Sequence, residues 1–141
     1  MVELPLLGGG TMDLTKHRGK DVVVLEFWNT WCPACKTGVP IAADVTAKYP
    51  GGKAAFYAVN LREPEDLVQR FLESMDVPPA IALDKNGEAA AAYRVGPIPR
   101  TVIIDRNGKV TAGHEGAGPG YRQQLRLDID EALAVPLADN A

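Results

Sequence analysis

Val22-Val23-Val24-Leu25-Glu26-Phe27-Trp28 is a seven-residue apolar run interrupted by a single acid. Its β-branched content and lack of alternation predict a central strand buried on both faces. A helix is predicted next, from about Cys32 to about Tyr49. Pro33 suits its first turn, because the N–H that proline lacks would have no helical partner there. Pro40 falls inside this helix and should kink it, and Pro50-Gly51-Gly52 should stop it. Ala54 to Asn60 reads as a second strand. Pro64 to Met75 reads as an amphipathic helix, with Leu67, Val68, Phe71, Leu72 and Met75 on one stripe. Residues 80–83 suit a short strand and 88–93 a short helix. Thr101 to Ile104 is a third main strand, and the Asn-Gly pair in Arg106-Asn107-Gly108-Lys109 signals a hairpin turn into a fourth, Val110 to Gly113. Gly116-Ala117-Gly118-Pro119-Gly120 is a turn before a last helix over 119–134, with Leu125, Ile129 and Leu133 facing inward.

This order predicts an α/β fold with a mixed sheet and helices on both of its faces. The expected organisation is one domain over 1–141. Its core spans about 20–134, preceded by an irregular lead-in at 1–19 with Gly8-Gly9-Gly10 and room for short strands, and followed by a frayed tail at 135–141.

Composition narrows the function classes. Of 141 residues, 46% are apolar and 23% charged, and the formal net charge is -3. That balance argues against a nucleic-acid partner, which calls for a basic face. No run of eighteen apolar residues exists, so no membrane span is expected. The start, Met1 to Gly8, lacks the basic and apolar regions of a signal peptide. Either the chain is cytoplasmic, or it is the mature part of an exported protein.

The chemistry concentrates at Trp31-Cys32-Pro33-Ala34-Cys35. These are the only two cysteines. A link between them would close a very short loop and constrain the unfolded chain little, so reinforcement is a poor reason for it. Disulfide exchange, in contrast, needs an attacking thiolate and a second thiol that releases the mixed disulfide. At a helix N-terminus, Cys32 meets unpaired N–H groups and the positive end of the helix dipole, which favour its thiolate. Cys35 lies one turn in, near enough to attack Cys32 and more shielded. Cys32 is thus the attacking residue and Cys35 the resolving one, and the redox-active disulfide needs no cofactor.

Phe27 to Lys36 resembles the active-site segment of thioredoxin-like proteins, closest to the TlpA/ResA-like branch of exported thiol–disulfide oxidoreductases. Pro40, five after the second cysteine, matches that family's helix kink. Gly96-Pro97-Ile98-Pro99-Arg100 and the following strand resemble its cis-proline loop. Val77-Pro78 through Tyr93 resembles a segment the branch inserts before that loop. The resemblance covers roughly residues 20 to 133 and implies a thioredoxin fold. It implies that Pro99 is cis and packs beside the sulfurs, with an extended substrate pairing along Ile98. Trp31, Pro33, Ile98 and Gly116 would rim the groove, while Trp28 packs in the core. It further implies a reductant acting on protein thiols and disulfides, an upstream electron-donor reductase, a monomer, and an extracytoplasmic or periplasmic location.

Glu26 stands where thioredoxins carry a buried acid that exchanges a proton with the resolving cysteine. Burial should raise its pKa and suit it to act as base toward Cys35. The sequence departs from the family pattern at three points. Ala58 replaces the lysine that often accompanies the acid in thioredoxins. Gly38 replaces the glutamate that cytochrome-maturation members carry three after the second cysteine. Arg100 replaces a small threonine, and reads either as a solvated side chain or as added positive charge near the thiolate.

Other classes fit the same residues less well. A zinc site would need His17 and His114 as further ligands, yet they lack paired spacing and read as surface histidines. A thioredoxin-fold copper chaperone would need a dedicated histidine or methionine. A non-catalytic interaction module would make the cysteines incidental. The Pro-x-x-x-Thr-x-x pattern of peroxidatic cysteines is absent before Cys32. Asp128, Asp130 and Glu131 read as a solvated helix face.

Overall fold

The computed structural model describes residues 3–75 and 78–138. A five-stranded sheet runs in the order β5-β4-β3-β6-β7, built from β3 (Val22–Trp28), β4 (Ala54–Leu61), β5 (Ala80–Asp84), β6 (Arg100–Ile104) and β7 (Val110–Glu115). The β3–β4 and β4–β5 pairs are parallel, whereas β6 is antiparallel to both β3 and β7. The sheet is therefore mixed, with β3 at its centre and every residue of β3 buried.

Side chains alternate across a strand, so β3 divides into two faces. Val22 and Val24 pack with Ile103 against α1 (Pro33–Ala47) and α4 (Tyr121–Ala134). Trp28 extends the same face toward α2 (Glu65–Leu72), where it meets Val68 and Leu72 and lies 4.8 Å, centroid to centroid, from Phe71. Glu26 shares this parity and so enters the layer between sheet and helices. Val23, Leu25 and Phe27 face the other way, onto Ala89 of α3 (Glu88–Ala92) and a small hairpin, β1 (Glu3–Pro5) with β2 (Thr11–Asp13).

The short strands expected in 1–19 are present, but they join the core rather than only leading to it. Leu4, Met12 and Leu14 are buried, and the Leu7 N–H donates to the Ile81 carbonyl at 2.9 Å on the sheet edge. The Gly8-Gly9-Gly10 run between them interrupts any strand or helix period. The tail needs a similar correction through Ala138. The Arg106 guanidinium donates to the carbonyls of Leu133 and Val135, and Asn107 exchanges hydrogen bonds with Pro136 and Ala138. The β6–β7 turn thus holds the chain after α4 in place. Helix α2 stops at Leu72 rather than Met75, and the Ser74 hydroxyl donates back to the Phe71 carbonyl, closing the helix end. In the segment resembling the family's insertion lie β5 and α3; its first residue, Val77, is outside the described residues.

Candidate functional site

Strand β3 ends at Trp28, and the chain must turn sharply to start α1 four residues later. Asn29 and Thr30 make that turn rigid. The Asn29 amide donates to the Leu61 carbonyl at 2.6 Å. The Glu63 carboxylate accepts from the Thr30 N–H at 2.8 Å, the Thr30 hydroxyl at 2.6 Å and the Asn60 amide at 2.9 Å. Burial alone would raise the Glu63 carboxyl, but these donors outweigh it and hold it below its ordinary value. The reactive segment is thereby pinned to the end of β4. Asn60 breaks an apolar strand as Glu26 does, a signal that sequence reasoning could have used and did not.

Cys32 is the N-cap of α1, and its Sγ accepts from the Cys35 N–H at 3.2 Å. Pro33 occupies the first helical turn. The cysteines are joined as a disulfide, with Cα atoms 5.3 Å apart. Cys35 is fully buried, Cys32 is 4% exposed, and Trp31 beside them is 70% exposed. Only the outer sulfur is in reach of solvent, under an aromatic side chain that projects from the surface.

The Ile98–Pro99 peptide is cis. The Ile98 carbonyl oxygen lies 3.9 Å from Cys32 Sγ, which puts this loop directly against the disulfide. Gly116 fixes the loop from behind, its N–H donating to the Pro99 carbonyl at 2.8 Å. Gly116 has φ +82°, a left-handed conformation that glycine adopts without penalty. Of the residues expected at the groove, Ile98 lies against the Cys32 sulfur, Pro99 follows it through the cis bond, Gly116 bonds the Pro99 carbonyl, and Trp31 and Pro33 flank Cys32 in sequence. Arg100 points away from it and lies across Gly113, where an added Cβ would come within 2.7 Å of the guanidinium.

Glu26, in the sheet–helix layer, is fully buried. Its Oε1 accepts from the Tyr121 hydroxyl, which also contacts Thr101 Oγ1 at 2.7 Å. Oε2 has no hydrogen-bond partner among the described residues. It lies 3.0 Å from where a Cβ on Gly38 would be, one helical turn after Cys35. Burial pushes the carboxyl from an ordinary 4.5 up to about 8, although the Tyr121 hydrogen bond pulls the other way. Tyr121 itself is raised by burial and by the facing carboxyl. Sequence reasoning missed Tyr121. The inward stripe of Leu125 and Ile129, stepped back by four, would have found it.

The histidines are not free at the surface. His17 bridges Asp21 at 2.7 Å and the Tyr57 hydroxyl at 2.8 Å. His114 pairs with Asp128, which is buried and also accepts from Gln124, so Asp128 does not belong to a solvated face. Asp130 accepts from the Tyr49 hydroxyl at 2.8 Å. Among the described residues no three His, Cys, Asp or Glu side chains converge as metal ligands. No helix among them is long and apolar enough to cross a membrane.

Comparison with known proteins places this arrangement. Thiol-disulfide oxidoreductase ResA of Geobacillus thermodenitrificans is 38% identical over 104 residues, covering 74% of this chain and 59% of that protein. ResA of Halalkalibacterium halodurans is 34% identical over 127 residues, covering 90% of this chain and 70% of the relative. A candidate thiol:disulfide interchange protein DsbE from Chlorobium tepidum superposes with a TM-score of 0.85 at 32% identity, covering 94% and 93% of the two chains. StoA from Bacillus subtilis, at 23% identity and a TM-score of 0.75, shares the fold. The chain spans less than two thirds of the Geobacillus relative's length. The AhpC/TSA family profile matches residues 1–112. A cis-proline loop against a helix-capping cysteine pair, the superposition and the profile agree: this thioredoxin-fold chain belongs to the AhpC/TSA family, with ResA thiol–disulfide oxidoreductases among its relatives.

Proposed function

We propose that the chain is a thiol–disulfide oxidoreductase that reduces protein disulfides with the Cys32–Cys35 dithiol. One observation carries this reading: the cysteine pair caps a helix N-terminus with its outer sulfur against the Ile98–Pro99 loop. Peroxidase chemistry is disfavoured despite the family's name, because Leu25 and Asn29 stand where the Pro-x-x-x-Thr-x-x pattern needs proline and threonine.

In the reducing direction, a substrate strand lies along Ile98–Pro99 with Trp31 and Pro33 at its side. The Cys32 thiolate attacks one substrate sulfur, and the other leaves as a thiolate. Cys35 gives its proton to the Glu26 carboxylate and attacks Cys32 Sγ. The second substrate thiolate then departs. Two electrons have moved from the dithiol to the substrate, and the protein carries a disulfide and a neutral Glu26. The raised Glu26 pKa supports this account, since a neutral acid is the form expected beside the disulfide. Run backward, that acid protonates Cys35 as a reductase opens the disulfide. The ResA relationship supports thiol–disulfide exchange; the reducing direction, a separate electron donor and an extracytoplasmic setting are what the resemblance to the TlpA/ResA-like branch implies. The chain acts as a monomer in this scheme.

The test is a trapping experiment. Cys35→Ser should accumulate mixed disulfides with reducible protein substrates through Cys32, and adding Cys32→Ala should abolish them. A folded Cys35→Ser variant that captures no substrate refutes the scheme.

A further inference from the structure

Glu26 is enclosed by five elements, and its neighbours can be named. Ala58 is its cross-strand partner in β4 and Thr101 in β6. Gly38 of α1 and Ala117 of the loop before α4 close over it, and Tyr121 of α4 donates to it. Cys35, one turn before Gly38, and Tyr121 are the titratable groups at this point. The next charged pair out, His114 with Asp128, starts at the β7 neighbour of Thr101.

The direction of the hydrogen bonds follows from counting protons. Tyr121 has one O–H, and an ionised carboxylate only accepts. Tyr121 therefore donates to Oε1, and Thr101 must donate to the Tyr121 oxygen. With Tyr121 donating to Oε1, the oxygen left without a partner to receive a proton is Oε2, which is also the nearer of the two to Gly38 on the α1 turn after Cys35 (3.0 against 3.3 Å from a Cβ built there).

We propose that Tyr121, braced by Thr101, is a positioning residue: it fixes which oxygen of Glu26 exchanges the Cys35 proton and sets the pH at which that exchange operates. This rests on the reading of Glu26 as the base for Cys35. The chemical step is unchanged: the Cys35 S–H proton passes to Oε2, the new Cys32–Cys35 bond forms, and the substrate thiolate leaves. The hydroxyl stabilises the carboxylate, so its loss should make Glu26 ionise at higher pH. Loss of a hydrogen bond to a charged group moves such a midpoint by roughly one to two pH units.

The experiment is to load Cys32 of the reduced protein with glutathione as a mixed disulfide and follow glutathione release by stopped flow from pH 5 to 10. Tyr121→Phe should move the midpoint of the rise upward by about one unit or more. Thr101→Val, which keeps the tyrosine and its packing, should move it in the same direction by less. In a Glu26→Gln background, Tyr121→Phe should shift nothing. A wild-type profile retained by Glu26→Gln overturns the role of Glu26 itself. A profile changed by Glu26→Gln yet unmoved, or moved downward, by both Tyr121→Phe and Thr101→Val overturns the positioning role alone.

Discussion

Glu26→Gln should change the pH dependence of stability more than any other single substitution in this chain. Glutamine keeps the volume beside Gly38 but cannot ionise. In the unfolded chain Glu26 loses its proton near 4.5, whereas in the folded protein it holds it to about 8. Between those values the native state binds more protons than the unfolded state, so stability falls as pH rises. The sign is that of a carboxyl raised by burial: the neutral form is accommodated below 4.5, and the charge becomes a full cost only above 8. At about 1.4 kcal/mol per pH unit, the interval from 4.5 to about 8 amounts to about 5 kcal/mol. That is comparable to the whole stability of a small domain.

The assay is urea denaturation of the oxidised protein at intervals from pH 5 to 9, for wild type and Glu26→Gln in parallel. The other titrating groups are common to both proteins and cancel in the difference. The stability of the variant relative to wild type should climb by about 1.4 kcal/mol per unit up to pH 8 and then level off. Parallel curves across this range would refute the burial argument, because they would mean that Glu26 ionises alike in both states.

Three further substitutions probe the rest of the frame. Gly38→Ala places a Cβ 2.9 Å from Ala117 Cβ and 3.0 Å from Glu26 Oε2, so it should destabilise by about 1–3 kcal/mol in denaturant melts, with partial relief from Ala117→Gly. Met12→Ala empties a fully buried position under the N-terminal hairpin and should cost about 2–5 kcal/mol in the same assay; a loss under 0.5 kcal/mol would return residues 1–19 to the status of a dispensable lead-in. Trp31→Ala should leave stability within about 0.5 kcal/mol, since the ring is exposed, while raising the KM for a disulfide-bonded peptide severalfold.

Features with strong local patterns were legible in the sequence. Residues 22–28 formed the central strand because a β-branched apolar run without alternation suits burial on both faces, and Pro33 and Pro50 bracketed the main helix. The cysteine pair, the proline loop and Glu26 were recognisable because each breaks or punctuates such a run. What stayed hidden depends on contacts between distant segments. Tyr121 meets Glu26 across 95 positions of sequence, and Glu63 meets Thr30 across 33. The inward stripe of the last helix marks Tyr121 as buried but not what it meets, and nothing local distinguishes Glu63 from an ordinary surface glutamate. Asp128 looked solvated for the same reason, since its partner His114 comes from another element.

Glu26 and Gly38 explain each other. A carboxylate inside a sheet–helix layer is costly, and a glycine inside a helix costs about 1 kcal/mol relative to alanine. Separately, each is a defect. Together they occupy one volume: the space a side chain at position 38 would fill holds the Glu26 carboxyl. The resemblance implies a glutamate at position 38 in cytochrome-maturation relatives. Such a side chain here would leave from α1 into the space that Glu26 enters from β3. The two placements exclude each other sterically, yet both bring an acid to the turn behind the resolving cysteine. The absence of an acid at position 38 therefore does not remove the acid from the site; it changes the element that delivers it, and with it the neighbours, Tyr121 and Thr101, that control its proton.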